Sequence, residues 1–248
     1  MPFYENGSVR IHYEERGSGT PILIMPGGGL NSSMNVLRNT SPFNPMEVFS
    51  DEFRCITLDI RNSLAGQSTG PVEVDRPWNA FADDQLGLLD HLGIDKFIAM
   101  GFCIGGPLSW NLMQRAPDRV MAAMLVQPSA GRPGPDNWFL DTYRESWAPE
   151  FHKKRPEVSA EDLDRYLLSL YSDNADFVFT VDRDFVRNCQ TPILVMPDDI
   201  PAHPYAVAME TATLAPNAQA TFFPWKEPDD LLQLALSHAR AFLRANGG

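Results

Sequence analysis

The stretch Ile98-Ala-Met-Gly101-Phe-Cys103-Ile-Gly105-Gly106 carries the pattern Gly-x-Cys-x-Gly-Gly. The apolar residues at its start predict a buried strand, and residues 107–114 after it predict a helix. At a sharp strand-to-helix turn, small neighbours allow a strained central residue whose side chain is exposed. The N-terminus of the following helix favours a thiolate over a thiol. We therefore interpret Cys103 as a candidate nucleophile rather than a buried small apolar residue.

Short apolar runs on both sides of this turn predict further strands. They are Pro21–Met25, Phe53–Asp59, Phe97–Met100, Met121–Val126, Ile193–Met196 and Ala220–Phe223. Helical patterns over 79–93, 107–114 and 229–245 alternate with them. This alternation predicts an α/β fold with a parallel sheet and helices on both faces. In such a sheet, ligands bind outside the carboxyl ends of the strands.

The alternation stops between Gly131 and Cys189. Residues 137–150 and 160–172 have a helical pattern and contain several aromatic residues, among them Trp138, which could line a pocket. We therefore predict a core formed by residues 1–131 and 190–248. Residues 132–189 form a small helical cap or lid inserted into that core.

Composition and cysteine usage limit the partners and the compartment. Twenty Lys and Arg residues against thirty-two Asp and Glu residues give a net charge of −12, which disfavours nucleic acid and membrane surfaces as partners. Three dispersed cysteines and an N-terminus without an apolar stretch predict a cytoplasmic protein. The sequence has neither metal-ligand spacing nor a nucleotide-binding loop, so we expect no metal and no cofactor. The expected partner is a small-molecule substrate, and a homodimer is left open.

The turn around Cys103 and the order of elements resemble the α/β-hydrolase superfamily over essentially the whole chain, with cysteine where serine is commoner. The resemblance implies an oxyanion hole, a pair of backbone N–H groups that binds a developing negative oxygen. One N–H would come from Gly28, Gly29 or Leu30, and the other from Ile104. A loop that starts at Asp59-Ile-Arg61 resembles the family's Asp-x-Arg-Gly-x-Gly-x-Ser loop, with Asn62 at the first glycine.

The resemblance also implies an acid and a base that follow the nucleophile in the order acid, then histidine. Asp198 and Asp199 both stand at the acid position after the strand Ile193–Met196, and Asp199 fits the family spacing slightly better. The histidine should follow the last strand, but the loop Pro224-Trp-Lys-Glu-Pro228 contains none.

His203 lies a few residues past the acid position, and three roles are open for it. These roles are a displaced base for Cys103, a substrate-binding group, and a residue at the start of a helix without a chemical role. Glu227 is a substitute base in the loop that lacks histidine. Lys226 in the same loop could lower the pKa of the thiol or bind an anionic substrate.

These residues support a cysteine-dependent hydrolase or acyl-transfer enzyme acting on an ester, lactone or thioester through a Cys103 acyl-enzyme. Dienelactone hydrolase, a relative with a Cys-His-Asp arrangement, resembles this chain in its cysteine nucleophile. The alternatives are a non-hydrolytic binding protein, or a lyase that uses the oxyanion hole and His203 without covalent attack.

Overall fold

The predicted alternation of strands and helices builds one central sheet. The computed structural model describes residues 2–132, 134 and 136–247. The strands are β1 (Phe3–Asn6), β2 (Val9–Arg16), β3 (Pro21–Met25), β4 (Arg54–Leu58), β5 (Phe97–Phe102), β6 (Val120–Val126), β7 (Ile193–Met196) and β8 (Ala218–Ala220). The helices are α1 (Met34–Thr40), α2 (Pro45–Val48), α3 (Pro77–His91), α4 (Gly105–Arg115), α5 (Trp138–Glu145), α6 (Trp147–Lys154), α7 (Ala160–Tyr171), α8 (Arg183–Asn188), α9 (Tyr205–Leu214) and α10 (Asp229–Asn246). A short 3-10 helix spans Gly29–Asn31.

The eight strands lie in the order β1-β2-β4-β3-β5-β6-β7-β8. The pairs β1–β2 and β2–β4 are antiparallel, and every later pair is parallel. Strand β3 lies between β4 and β5, with Leu23 opposite both Ile56 and Ala99. The carboxyl ends of β3, β5, β6 and β7 therefore meet along one edge, where the residues that follow them come together. The predicted mostly parallel sheet is confirmed.

Alternate residues of the central strands bury two apolar layers, one on each face of the sheet. Ile22 and Ile24 belong to the layer that contains Phe242 of α10. Leu23 belongs to the opposite layer, together with Leu108 of α4. Helices α1, α2 and α10 thus cover one face, and α3, α4 and α9 cover the other.

The last strand was predicted in the wrong place. Strand β8 spans Ala218–Ala220, whereas the sequence predicted Ala220–Phe223. Phe222 and Phe223 are 39% and 41% exposed, so their apolar character does not mark a buried strand. A short edge strand has one strand neighbour, and its sequence pattern is correspondingly weak.

Helices α5, α6, α7 and α8 fill the chain between β6 and β7, where the sequence predicted the cap. The helix predicted over 137–150 is two helices, α5 and α6, that meet at Ser146. Pro149 explains the break, because it has no N–H for the Glu145 carbonyl and its ring would clash with that carbonyl in a continuous helix. Within the described part of the chain, no helix has the length and apolar character needed to span a membrane.

Candidate functional site

The strand-to-helix turn holds Cys103 in a left-handed backbone conformation. Its φ is 52°, which is rare for a residue other than glycine and stores strain at this position. Its glycine neighbours make the turn sterically feasible. A Cβ on Gly101 would collide with the Gly105 carbonyl oxygen, and a Cβ on Gly105 would lie 2.6 Å from the Met25 carbonyl oxygen. The sharp turn directs the Cys103 side chain beyond the carboxyl end of β5.

The Cys103 thiol lies beside a buried hydroxyl group. Its Sγ is 3.1 Å from Oγ of Ser129, and the Ser129 amide donates to the Cys103 carbonyl at 2.9 Å. Sequence reasoning missed Ser129. The available signal was its position, because Ser129 closely follows β6 at the same sheet edge as Cys103.

His203 and Asp198 form a buried pair next to the thiol. Nδ1 of His203 is 3.0 Å from Oδ2 of Asp198, and the two residues are 6% and 7% exposed. Among the described residues, Nε2 of His203 has no hydrogen-bond partner of good geometry, and the Cys103 thiol is the nearby group that, with Asp198, raises the pKa of the ring. Lys226 Nζ lies 2.6 Å from the same Asp198 oxygen. The structure thus brings Cys103, His203, Asp198 and Lys226 together.

A tight turn brings His203 back to Asp198. Ile200 and His203 form an antiparallel bridge, with the His203 amide donating to the Ile200 carbonyl at 2.9 Å. Pro204 is the N-cap of α9, so the predicted helix-start role of His203 is wrong. On the other side, Trp225 is fully buried and its indole N–H donates to the Pro197 carbonyl at 2.6 Å. This bond fixes the loop that carries Lys226.

The charges at this site stabilise an ion pair. Burial opposes ionisation of Cys103, but His203, the Ser129 hydroxyl and the Gly28 N–H together lower its pKa to about 6. Burial likewise disfavours a charged His203, yet Asp198 and the Cys103 thiolate raise the pKa of His203 to about 9. At neutral pH the arrangement therefore favours a Cys103 thiolate beside a His203 imidazolium.

The acid of the pair is held in its charged form. Burial favours a neutral Asp198, but hydrogen bonds from His203 and Lys226 lower its pKa to about 2. Cys55 provides a contrast within the same chain, because burial and the nearby Asp51 raise the pKa of its thiol to about 12. Cys55 and Cys189 are both buried.

The loop after β3 also lies close to Cys103. Gly28 has a φ of 101°, and a Cβ on Gly27 would lie 3.2 Å from the Cys103 Cβ. Among the described residues, the amides of Gly28, Gly29 and Ile104 donate no hydrogen bond of good geometry to a backbone carbonyl. These amides are at the location where the sequence predicted an oxyanion hole.

Residues 20–188 match the family described as alpha/beta hydrolase fold. This chain belongs to the alpha/beta hydrolase fold family. Haloalkane dehalogenase 2 of Mycobacterium bovis is 28% identical over 125 residues, which are 50% of this chain and 40% of that protein. The match thus spans about two fifths of the length of that curated relative.

Solved structures share the architecture over nearly their whole length. The enol-lactonase from Burkholderia xenovorans LB400 has a TM-score of 0.69 at 19% identity, covering 98% of this chain and 100% of its own. Est816, an N-acyl homoserine lactone degrading enzyme, has a TM-score of 0.63 at 20% identity, covering 95% of this chain and 99% of its own. At these identities the likeness shows the fold, and the predicted α/β-hydrolase fold is confirmed.

Asn62 stands at the first glycine position of the Asp-x-Arg-Gly-x-Gly-x-Ser pattern that the loop after β4 resembles. Its φ is 63°, in the left-handed region that asparagine adopts more readily than other side chains. Its Oδ1 accepts bonds of 3.1 Å from the Gly70 amide and from Arg155 of the cap. The substitution therefore preserves the backbone turn and adds a contact to the inserted helices.

Three predicted site residues lie away from the thiol. Asp199 is exposed, so the preference for it over Asp198 is wrong; the carboxylate of Asp198 is the one that meets His203. Glu227 is also exposed and lies in an open surface cleft with Asp229 and Asp230, which removes it as a substitute base. Trp138 is 42% exposed and does not line the thiol.

A cavity of about 290 Å³ lies at the start of the inserted segment, and its wall contains neither Cys103 nor His203. Its wall includes Trp138, Phe139, Pro201 and Ala130, the residue after Ser129. It is large enough for a small organic group. Among residues 2–132, 134 and 136–247, no cluster of His, Cys, Asp and Glu side chains is arranged to hold a metal ion.

Proposed function

We propose that this protein is a cysteine-dependent hydrolase or acyl-transfer enzyme that acts on a small ester, lactone or thioester. The observation that carries the proposal is the thiol of a strained Cys103 beside the buried His203–Asp198 pair. The nucleophile, the base and the group that orients the base are thus adjacent, as nucleophilic catalysis requires.

In the proposed first step, the Cys103 thiolate attacks the carbonyl carbon and a C–S bond forms. The carbonyl π electrons move to oxygen, where the Gly28, Gly29 and Ile104 amides stabilise the negative charge. The carbonyl re-forms as the bond to the leaving oxygen or sulfur breaks. The His203 imidazolium donates its proton to that leaving atom, which yields a Cys103 thioester and a neutral imidazole.

In the second step, neutral His203 accepts a proton from water or from an acceptor alcohol, and the resulting nucleophile attacks the thioester. The C–S bond breaks, and the thiolate leaves beside a newly charged imidazolium. Asp198 keeps the ring oriented in both steps through the 3.0 Å bond to Nδ1. Lys226 is paired with Asp198, so we assign it to holding the acid rather than to binding an anionic substrate.

Two observations support small cyclic or linear esters as the substrate class. The structural neighbours include an enol-lactonase and an enzyme described as degrading N-acyl homoserine lactone. The cavity at the start of the inserted segment has aromatic Trp138 and Phe139 beside polar Arg132, Asp136 and Asn137, a wall that suits a small substrate with an apolar and a polar part.

The proposal is tested by intact-protein mass spectrometry after brief exposure to p-nitrophenyl acetate and to small lactones, with p-nitrophenol release followed in parallel. Wild type should gain one acyl group and turn over, while Cys103→Ala should do neither. Cys189→Ala is the matched control, because it removes a thiol that is buried away from the site and should leave the adduct unchanged.

A wild-type protein that forms no adduct, shows no turnover and resists alkylation at Cys103 would contradict the proposal. Saturable binding of a small molecule without turnover would then favour the non-hydrolytic alternative. Turnover that survives in Cys103→Ala but falls in His203→Ala would favour the lyase alternative.

A further inference from the structure

A tyrosine of the inserted helices reaches the predicted oxyanion hole. Tyr143 lies on α5, and its hydroxyl group rests against the backbone of Gly29; a Cβ at Gly29 would collide with that hydroxyl. Gly29 has a φ of 56°, so glycine is favoured here by conformation as well as by space. The loop after β3 is therefore shaped to accept a phenol.

The Tyr143 hydroxyl is suited to donate a hydrogen bond and not to act as a base. Burial and the negative charge on Cys103 raise its pKa, so the phenol stays protonated while Cys103 is a thiolate. The nearby Leu30 N–H acts in the other direction and lowers the pKa of Tyr143. Donors to that oxygen polarise the O–H bond and make it a stronger donor.

Ring packing fixes the position of this hydroxyl. The Tyr143 ring is stacked on Tyr171 at 5.3 Å between centroids and 7° between planes, and on Phe139 at 6.3 Å and 26°. Tyr171 is 1% exposed, so it provides a rigid surface behind Tyr143. A pre-positioned donor stabilises charge without reorganising during the reaction.

We propose that Tyr143 is a further catalytic residue, a side-chain donor to the oxygen on which negative charge develops when Cys103 attacks a carbonyl group. It adds a side-chain donor to the backbone amides proposed for the oxyanion hole. No proton is transferred in this role, since the phenol donates a hydrogen bond and keeps its proton. The inference rests on the proposed function and makes the inserted helices a required part of the oxyanion hole.

The test compares two reactions of the same thiol in Tyr143→Phe, which keeps the stacked ring and removes the hydroxyl. Acylation by p-nitrophenyl acetate builds negative charge on a carbonyl oxygen, whereas alkylation by iodoacetamide displaces iodide and builds none there. Loss of one oxyanion donor should slow acylation by about 100-fold. The rate of alkylation at Cys103 should stay within about twofold, because the thiolate is unchanged.

Tyr166→Phe is the matched control. It removes the hydroxyl of another buried tyrosine of the inserted helices, whose ring packs on Trp147 and which has no part in the proposed site, so both rates should stay within about threefold. Equal slowing of acylation and alkylation in Tyr143→Phe would assign Tyr143 a packing role and overturn the inference. Normal acylation in Tyr143→Phe, with a wild-type adduct on Cys103, would overturn the inference and leave the proposed function standing. Absence of that adduct in wild type would overturn both.

Discussion

His12–Asp59 and His203–Asp198 are both buried histidine–aspartate pairs, and their geometry is nearly the same. The Nδ1-to-Oδ2 distances are 2.9 Å and 3.0 Å, and the two histidines are 3% and 6% exposed. In both rings Nε2 has no hydrogen-bond partner of good geometry among the described residues.

The surroundings of the two pairs differ. Asp59 also accepts bonds from the Met34 and Gln67 amides, and the ring of Phe3 lies 4.9 Å from that of His12. His203 instead faces the thiol of Cys103. The first pair links β2 to the residue after β4, and the neighbouring nucleophile is what gives the second pair its proposed chemistry.

The largest expected effect comes from removing the second histidine. His203→Gln should slow acylation of Cys103 by p-nitrophenyl acetate about 1,000-fold, because the thiolate loses the cation that stabilises it and the reaction loses its general acid and base. Stopped-flow measurement of p-nitrophenol release gives the rate. A loss below about tenfold would place the base elsewhere and remove the distinction between the two pairs.

A smaller effect is expected at the acid. Asp198→Asn should slow the same step about 100-fold, because the ring of His203 loses the charge that orients it and stabilises its protonated form. Asp199→Asn is the control and should stay within about twofold, since Asp199 is exposed and does not contact His203. Equal losses in the two variants would show that acylation slows because a negative charge is removed near the site, and not because the contact with His203 is lost.

The pH dependence of thiol alkylation sharpens the comparison further. A thiol with a pKa of about 6 should react with iodoacetamide at a rate that rises through pH 6 and is level above pH 7. In His203→Gln the rise should move upward by more than one pH unit, toward the ordinary thiol value of about 8.5. At pH 7 a thiol with a pKa of 8.5 is about 3% ionised, against about 90% for a pKa of about 6, so a full shift lowers the rate by up to about 30-fold. An unchanged midpoint would show that His203 does not set the pKa of Cys103.

The smallest effect on activity is expected at the first pair. His12→Ala should lower the free energy of unfolding by about 2–3 kcal/mol, because a buried hydrogen bond to Asp59 is lost, although Asp59 keeps two amide donors. Acylation per folded molecule should change by less than about twofold. Urea unfolding gives the first value and active-site titration the second. If a stably folded His12→Ala variant lost acylation, the His12–Asp59 pair would also take part in the reaction.

Local patterns were sufficient to predict most of the fold. The apolar runs that became β3 and β7 have the predicted bounds, because a fully buried central strand requires a continuous apolar sequence. The edge strand β8 was misplaced because its residues carry no such requirement. The exposed Phe222 and Phe223 were read as strand residues for their apolar character alone.

The candidate site was predictable in part. Cys103 was identified because glycines at fixed distances make its strained turn feasible, and this constraint is local. The choice between Asp198 and Asp199 was wrong because neighbouring residues at a strand end point in different directions, and spacing alone does not reveal which one faces the cleft. Ser129 and Tyr143 come from the end of β6 and from the inserted helix α5, so their approach to Cys103 depends on how separate elements pack.

The sequence by itself determined the parallel part of the sheet and the strained cysteine turn, since each depends on hydrophobic period or on steric limits within a few residues. Tertiary structure decided which charges meet. The turn at Ile200 and the buried Trp225 bring His203 and Lys226 to opposite sides of one carboxylate. Such a meeting of groups from different loops depends on the packing of the whole sheet edge, so no local pattern in the chain records it.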